Sequence, residues 1–156
     1  LDTNNPMAHL NLGAQEDRDG NSLLAEQHFE KAVERWPTHT AALHRLAMVR
    51  MNQDRLPEAK DLIERALQAK SASPLSRVVL GVVLNRQGEF EAAIKELHRA
   101  LTIEPNLPVA HLELAKAFEQ RGEIDEAIRH YEDALRLAPR YSEAKRRLDE
   151  LLSKRP

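Results

Sequence analysis

The stretch HLELAKAFEQRGEIDEAIRHYEDALRLAP, residues 111–139, decides how this chain folds. Ala127, Tyr131 and Ala134 stand at i, i+4 and i+7, so one face of a helix over 124–137 is apolar. Gly122 precedes that helix at a position where a left-handed residue can end the one before it. Pro108, just upstream, suits the first turn of that earlier helix, where its missing N–H has no helical partner in any case. Pro139 closes the stretch. The same positions recur every 34 residues. The alanines form two columns, Ala25, Ala59, Ala93, Ala127 and Ala32, Ala66, Ala100, Ala134. A leucine column, Leu12, Leu46, Leu80, Leu114, is followed each time by a small residue, Gly13, Ala47, Gly81, Ala115. Larger apolar residues fill Phe29, Ile63, Leu97 and Tyr131; the turns hold Gly20, Asp54, Gly88 and Gly122; and Pro37, Ser71, Pro105 and Pro139 end the units. Asp54 suits its turn less well than glycine because it carries a Cβ. The spacing predicts first helices near 6–19, 40–53, 74–87 and 108–121, and second helices near 22–35, 56–69, 90–103 and 124–137.

Composition agrees. Leu and Ala number 44 of 156 residues, against 22 strand formers, which favours an all-helical chain. The net charge of −2 gives no support for nucleic acid as a partner. Without cysteine there is no disulfide framework and no thiolate chemistry, and a soluble chain of this kind suits cytoplasm and periplasm equally. No apolar run reaches the length needed to span a membrane, and no signal peptide is visible, so direct membrane insertion is not expected.

In these motifs (Leu12-Gly13, Gly20, Ala25, Phe29, Ala32, Pro37, and again Leu114-Ala115, Gly122, Ala127, Tyr131, Ala134, Pro139) the chain resembles the tetratricopeptide repeat (TPR) family over residues 6–139. The resemblance implies an all-α, right-handed superhelical solenoid of antiparallel helix pairs. The repeats would be 6–39, 40–73, 74–107 and 108–141. Residues 1–5 read as the tail of a preceding repeat, since the run into Pro6 parallels the run into Pro108. Residues 142–156 read as a C-terminal capping helix, with Ala144, Leu148 and Leu152 packing inward and a polar outer face.

Few residue patterns in the chain carry chemistry. The expectation is no enzyme, no cofactor and no metal. His9 and His111, and likewise His28 and His130, lie three repeats apart, too far to share an ion, and no His-Glu-x-x-His spacing occurs. The carboxylates mostly sit on second helices with basic partners four residues on, as in Asp61–Arg65, and read as solvated pairs. All five glycines have a role in the repeat, so none remains for a phosphate loop.

The informative surface is the concave groove that the resemblance implies. First-helix residues would line it: Met7, Leu10 and Asn11; His44, Arg45, Met48 and Met51; Leu75, Val78, Val79, Val82 and Asn85; Val109, Leu112, Glu113 and Lys116. Most are apolar, and methionine suits an adaptable binding face. The expected partner is a protein or peptide with an apolar or amphipathic segment. Chaperone-binding members of the family hold acidic tails with paired Lys, Asn and Arg side chains. The matching positions here hold Leu10, Ala14, Arg45, Leu75 and Val79, so an acidic chaperone C-terminal tail is not expected. The alternatives are a self-associating scaffold and a substrate-recruiting arm of an enzyme whose catalytic domain lies elsewhere.

Overall fold

The computed structural model describes residues 5–68 and 73–154. Among them are nine α-helices and no strand. Their ends fall within a residue or so of those that the 34-residue spacing predicts. The chain divides into two compact units, Leu1–Ser76 and Arg77–Pro156. Ser71 and all but the last residue of the expected tail 1–5 lie outside the described residues.

The first unit holds α1 (Pro6–Arg18), α2 (Ser22–Arg35), α3 (Thr40–Asn52) and α4 (Leu56–Gln68), followed by the start of α5 (Pro74–Gln87). Asn5 caps α1, its side-chain oxygen accepting the Met7 N–H at 2.9 Å, and Pro6 takes the first helical position. His39 caps α3 by accepting the Ala42 N–H at 3.3 Å. Consecutive helices pack on one another: α1 on α2, α2 on α3, and α3 on α4. Ala25, Ala32, Ala59 and Ala66 are fully buried along these contacts, with Phe29 and Ile63 as the large side chains between them.

The second unit holds the rest of α5, then α6 (Phe90–Ile103), α7 (Pro108–Gln120), α8 (Ile124–Leu137) and α9 (Ser142–Ser153). Ala93, Ala100, Ala127 and Ala134, with Leu97 and Tyr131, repeat the same buried columns. The smallness of the column after the leucines has a direct cause. A Cβ placed on Gly81 would stand 2.5 Å from the Leu97 side chain, and one on Gly13 2.6 Å from the Phe29 ring.

The hairpin turns share one hydrogen-bond pattern. Gly20, Gly88 and Gly122 have φ of 83°, 79° and 77°, and Asp54 takes the same region at 61°. Each donates to the carbonyl three residues back, and the next residue reaches five back: Asn21 to Glu16, Arg55 to Arg50, Glu89 to Leu84, Glu123 to Phe118, at 2.8–2.9 Å. This is the glycine-ended helix stop, which satisfies two orphan carbonyls with one left-handed residue.

Leu46, Leu80 and Leu114 of the leucine column are buried, while Leu12 is exposed. One expectation about the last helix needs correction. In α9, Leu152 is 44% exposed, and Leu151 is buried in its place beside Ala144. Seven steps of about 100° return a helix to its starting face, while eight overshoot by about 80°, so Leu151 aligns with Ala144 and Leu152 does not.

Candidate functional site

The second unit contains an open cleft of about 690 Å³. Four of the expected groove residues line it: Val82, Asn85, Glu113 and Lys116. Helical spacing on α5 and α7 brings them together. Phe90 and Val82 give the cleft an apolar portion; Arg86, Glu119, Glu143, Arg146 and Arg147 add charge to the rest of its lining. Glu113 is buried and well partnered. Asn85 donates to its carboxylate at 3.0 Å and to its backbone carbonyl at 2.9 Å. Lys116 bridges Glu113 at 2.9 Å and Glu143 at 2.8 Å. Burial works against the lysine's charge, but the two carboxylates outweigh it and raise its pKa.

In the same lining, Arg147 pairs with Glu119, and the Tyr131 hydroxyl donates to Glu119 at 2.9 Å. Burial, reinforced by Glu119, raises the Tyr131 pKa and keeps it protonated. Two acceptors of cleft-lining residues, Asn85 Oδ1 and Gln87 Oε1, are buried without a hydrogen-bond partner.

The remaining expected groove residues divide by burial. In the first unit Met7, Asn11, Arg45, Met48 and Leu75 are exposed, while Leu10, His44 and Met51 are half-buried. In the second, Val109 is exposed and Val79 half-buried. Val78 and Leu112 are only 2% exposed and present no surface to a partner. The opposite face of α3 carries a different feature. Arg50, buried, pairs with buried Glu26 and with Glu30, and Arg55 joins Glu26 at 2.8 Å.

Sequence reasoning missed the part that α9 plays in the cleft. The signal was present: the column Arg45, Val79, Glu113 continues at the same spacing to Arg147. It also compared histidines only between repeats. Within a helix pair, antiparallel packing brings two of these histidines together, one from each helix. His9 Nδ1 lies 3.0 Å from His28 Nδ1, and His111 Nδ1 lies 3.0 Å from His130 Nδ1. Among the described residues, one group of ligand-bearing side chains gathers closely enough for a metal: His111, His130 and Asp133, with ligand atoms all within 4.8 Å of one another. No helix among the described residues is long and apolar enough to cross a membrane.

Comparison with known proteins bears on the fold. No curated protein sequence matches the chain. Among solved structures, MamA is similar at TM-score 0.79 and 21% identity, over 91% of this chain and 83% of that one. YrrB, a TPR protein with an unusual peptide-binding site, is similar at TM-score 0.76 and 20% identity, over 97% and 78%. The pilF protein of Pseudomonas aeruginosa is similar at TM-score 0.85 and 24% identity, over 96% and 68%. At these identities the likeness speaks for the fold. The tetratricopeptide repeat family itself matches residues 18–76 and 84–148, well over half of the sequence. With paired helices, glycine-ended hairpins and buried alanine columns at a 34-residue spacing, the chain belongs to the tetratricopeptide repeat family.

Proposed function

We propose that the chain is a non-catalytic protein-interaction scaffold that takes an amphipathic peptide segment in the cleft of its second unit. The TPR fold supports the scaffold role, and YrrB offers a precedent for a peptide-binding site on this fold. The observation that carries the reading is the make-up of the cleft. It is open, it has an apolar portion at Val82 and Phe90, and its charged rim is already paired internally. Paired charges orient a ligand without demanding a counter-ion from it. An apolar portion beside a charged rim suits a segment that is apolar on one side and polar on the other.

The test is selection of peptides from a random displayed library on the full chain, followed by fluorescence anisotropy. Selected peptides are expected to be apolar on one side. Val82→Glu, which places a carboxylate in the apolar portion, is expected to weaken them at least tenfold with helicity unchanged. An empty selection, or peptides that bind Val82→Glu equally well, overturns the reading.

Self-association is a second reading, favoured by Leu12, Leu23 and Leu24, all exposed on α1 and α2. Sedimentation at rising concentration tests it. A monomer throughout, or an oligomer that persists in Leu23→Glu, removes this face as its basis.

A further inference from the structure

The second unit places two imidazoles and a carboxylate at one edge of the α7–α8 helix pair. His111 lies on α7; His130 and Asp133 lie one turn apart on α8 and share a face. We infer that His111, His130 and Asp133 form a binding site for one divalent transition cation of the zinc, nickel and copper group.

The donor set suits these metals, which favour imidazole together with a carboxylate and leave remaining positions to water or a partner. The spacing suits them too. A cation about 2.1 Å from both Nδ1 atoms, themselves 3.0 Å apart, sees them at close to a right angle, a relation natural to octahedral and tetragonal sites. Opening that gap by about 0.4 Å gives the tetrahedral separation that zinc takes.

The surroundings hold the ligands in place. His111 Nε2 lies 3.3 Å from the Pro105 carbonyl, so that nitrogen carries the proton and Nδ1 turns its lone pair toward His130. The His130 ring is stacked parallel on Phe118, with centroids 5.5 Å apart, and His98 meets it edge-on at 6.0 Å. Asp133 is held through one oxygen, Oδ1, by Arg136 at 2.7 Å; its other oxygen, Oδ2, is the one toward His111, 3.8 Å from Nδ1. In the metal-free chain His130 donates its Nδ1 proton to His111. On binding, that proton moves to His130 Nε2, which leaves both Nδ1 atoms free to ligate.

The first unit supplies an internal comparison. His9 and His28 repeat the pair, with the same 3.0 Å separation and nearly the same ring tilt, 35° against 36°. At the place equivalent to Asp133, 102 residues earlier, stands Lys31, a cation that repels a metal. The two pairs therefore differ in the carboxylate.

The experiment titrates the full, chelator-treated chain with Zn²⁺ and separately with Ni²⁺, by calorimetry. Zn²⁺ is also followed through the histidine ring nitrogens by NMR. Expected are one saturable site per chain, movement of the His111 and His130 Nδ1 signals with those of His9 and His28 unmoved, and no binding of Mg²⁺. Asp133→Asn is expected to weaken binding by about tenfold or more, as is His130→Gln. Asp133 is half-exposed and the replacement isosteric, so circular dichroism confirms that the fold is retained. Absence of saturable binding, equal affinity in Asp133→Asn, or equal movement of the His9 and His28 signals overturns the site. The peptide selection reads a different surface, so either result leaves that reading unaffected.

Discussion

Gly81 and Gly88 lie seven residues apart in and after one helix, and they are glycine for opposite reasons. Gly81 has no room: its nearest neighbour is the buried Leu97. Gly88 has room, with nothing within 4 Å of a Cβ, but its φ of 79° is one that L side chains avoid. Gly88→Ala is therefore expected to cost on the order of 1 kcal/mol. Gly81→Leu should cost about 1–3 kcal/mol or more by overpacking, and thermal melts will rank the two. His44 sets a pH dependence at the same scale. Its Nε2 is buried without a hydrogen-bond partner, and burial lowers its pKa. The unfolded chain then takes up a proton near pH 6.5 that the folded chain resists. Stability is full above that pH and falls as the pH drops below it. His28 and His130 are lowered in the same direction, also chiefly by burial, and add to the loss. Urea unfolding at pH 7.5 and 5.5 should show the decline, and His44→Leu should reduce it.

At the scale of elements, α9 does more than close the second unit. Ala144 and Leu151 bury its apolar face, Glu143 reaches Lys116, and Arg147 reaches Glu119. Arg147→Ala leaves Glu119 with Tyr131 as its donor and should cost about 1 kcal/mol once screening at the partly exposed arginine is allowed for. A shift in the urea midpoint measures it. Deleting 142–156 removes one wall of the cleft together with the cover over α8. The shortened chain should melt lower, be less soluble and lose the selected peptides. Equal melting and peptide affinity would show that α9 contributes neither cover nor binding wall.

At the scale of the whole molecule, protection should follow how many neighbours each helix has. α7 packs on both α6 and α8 and buries eight of its residues, including Ala110, Leu114 and Phe118; α1 buries His9 and Gly13. In a repeat array stability is a sum of local and nearest-neighbour terms, so amides of α1 should exchange faster than those of α7, and uniform exchange would contradict this. The helix pairs, their turns and the alanine columns were legible in the sequence because each is local: a helix face repeats every few residues, and a left-handed stop needs one small residue at one place. The cleft was legible only in part. Val82, Asn85, Glu113 and Lys116 follow from the repeat, but the burial of Val78 and Leu112 and the wall made by α9 depend on how helices far apart in sequence press together. The histidine pairs make the same point most sharply. His111 and His130 stand 19 residues apart, a distance with no meaning in either helix alone. Only the antiparallel fold of one helix on the other, turning at Gly122, brings the two Nδ1 atoms to 3.0 Å. Sequence by itself determined which residues form helices and where they stop; the tertiary structure decided which side chains meet, because that is set by packing between elements and not by periodicity within one.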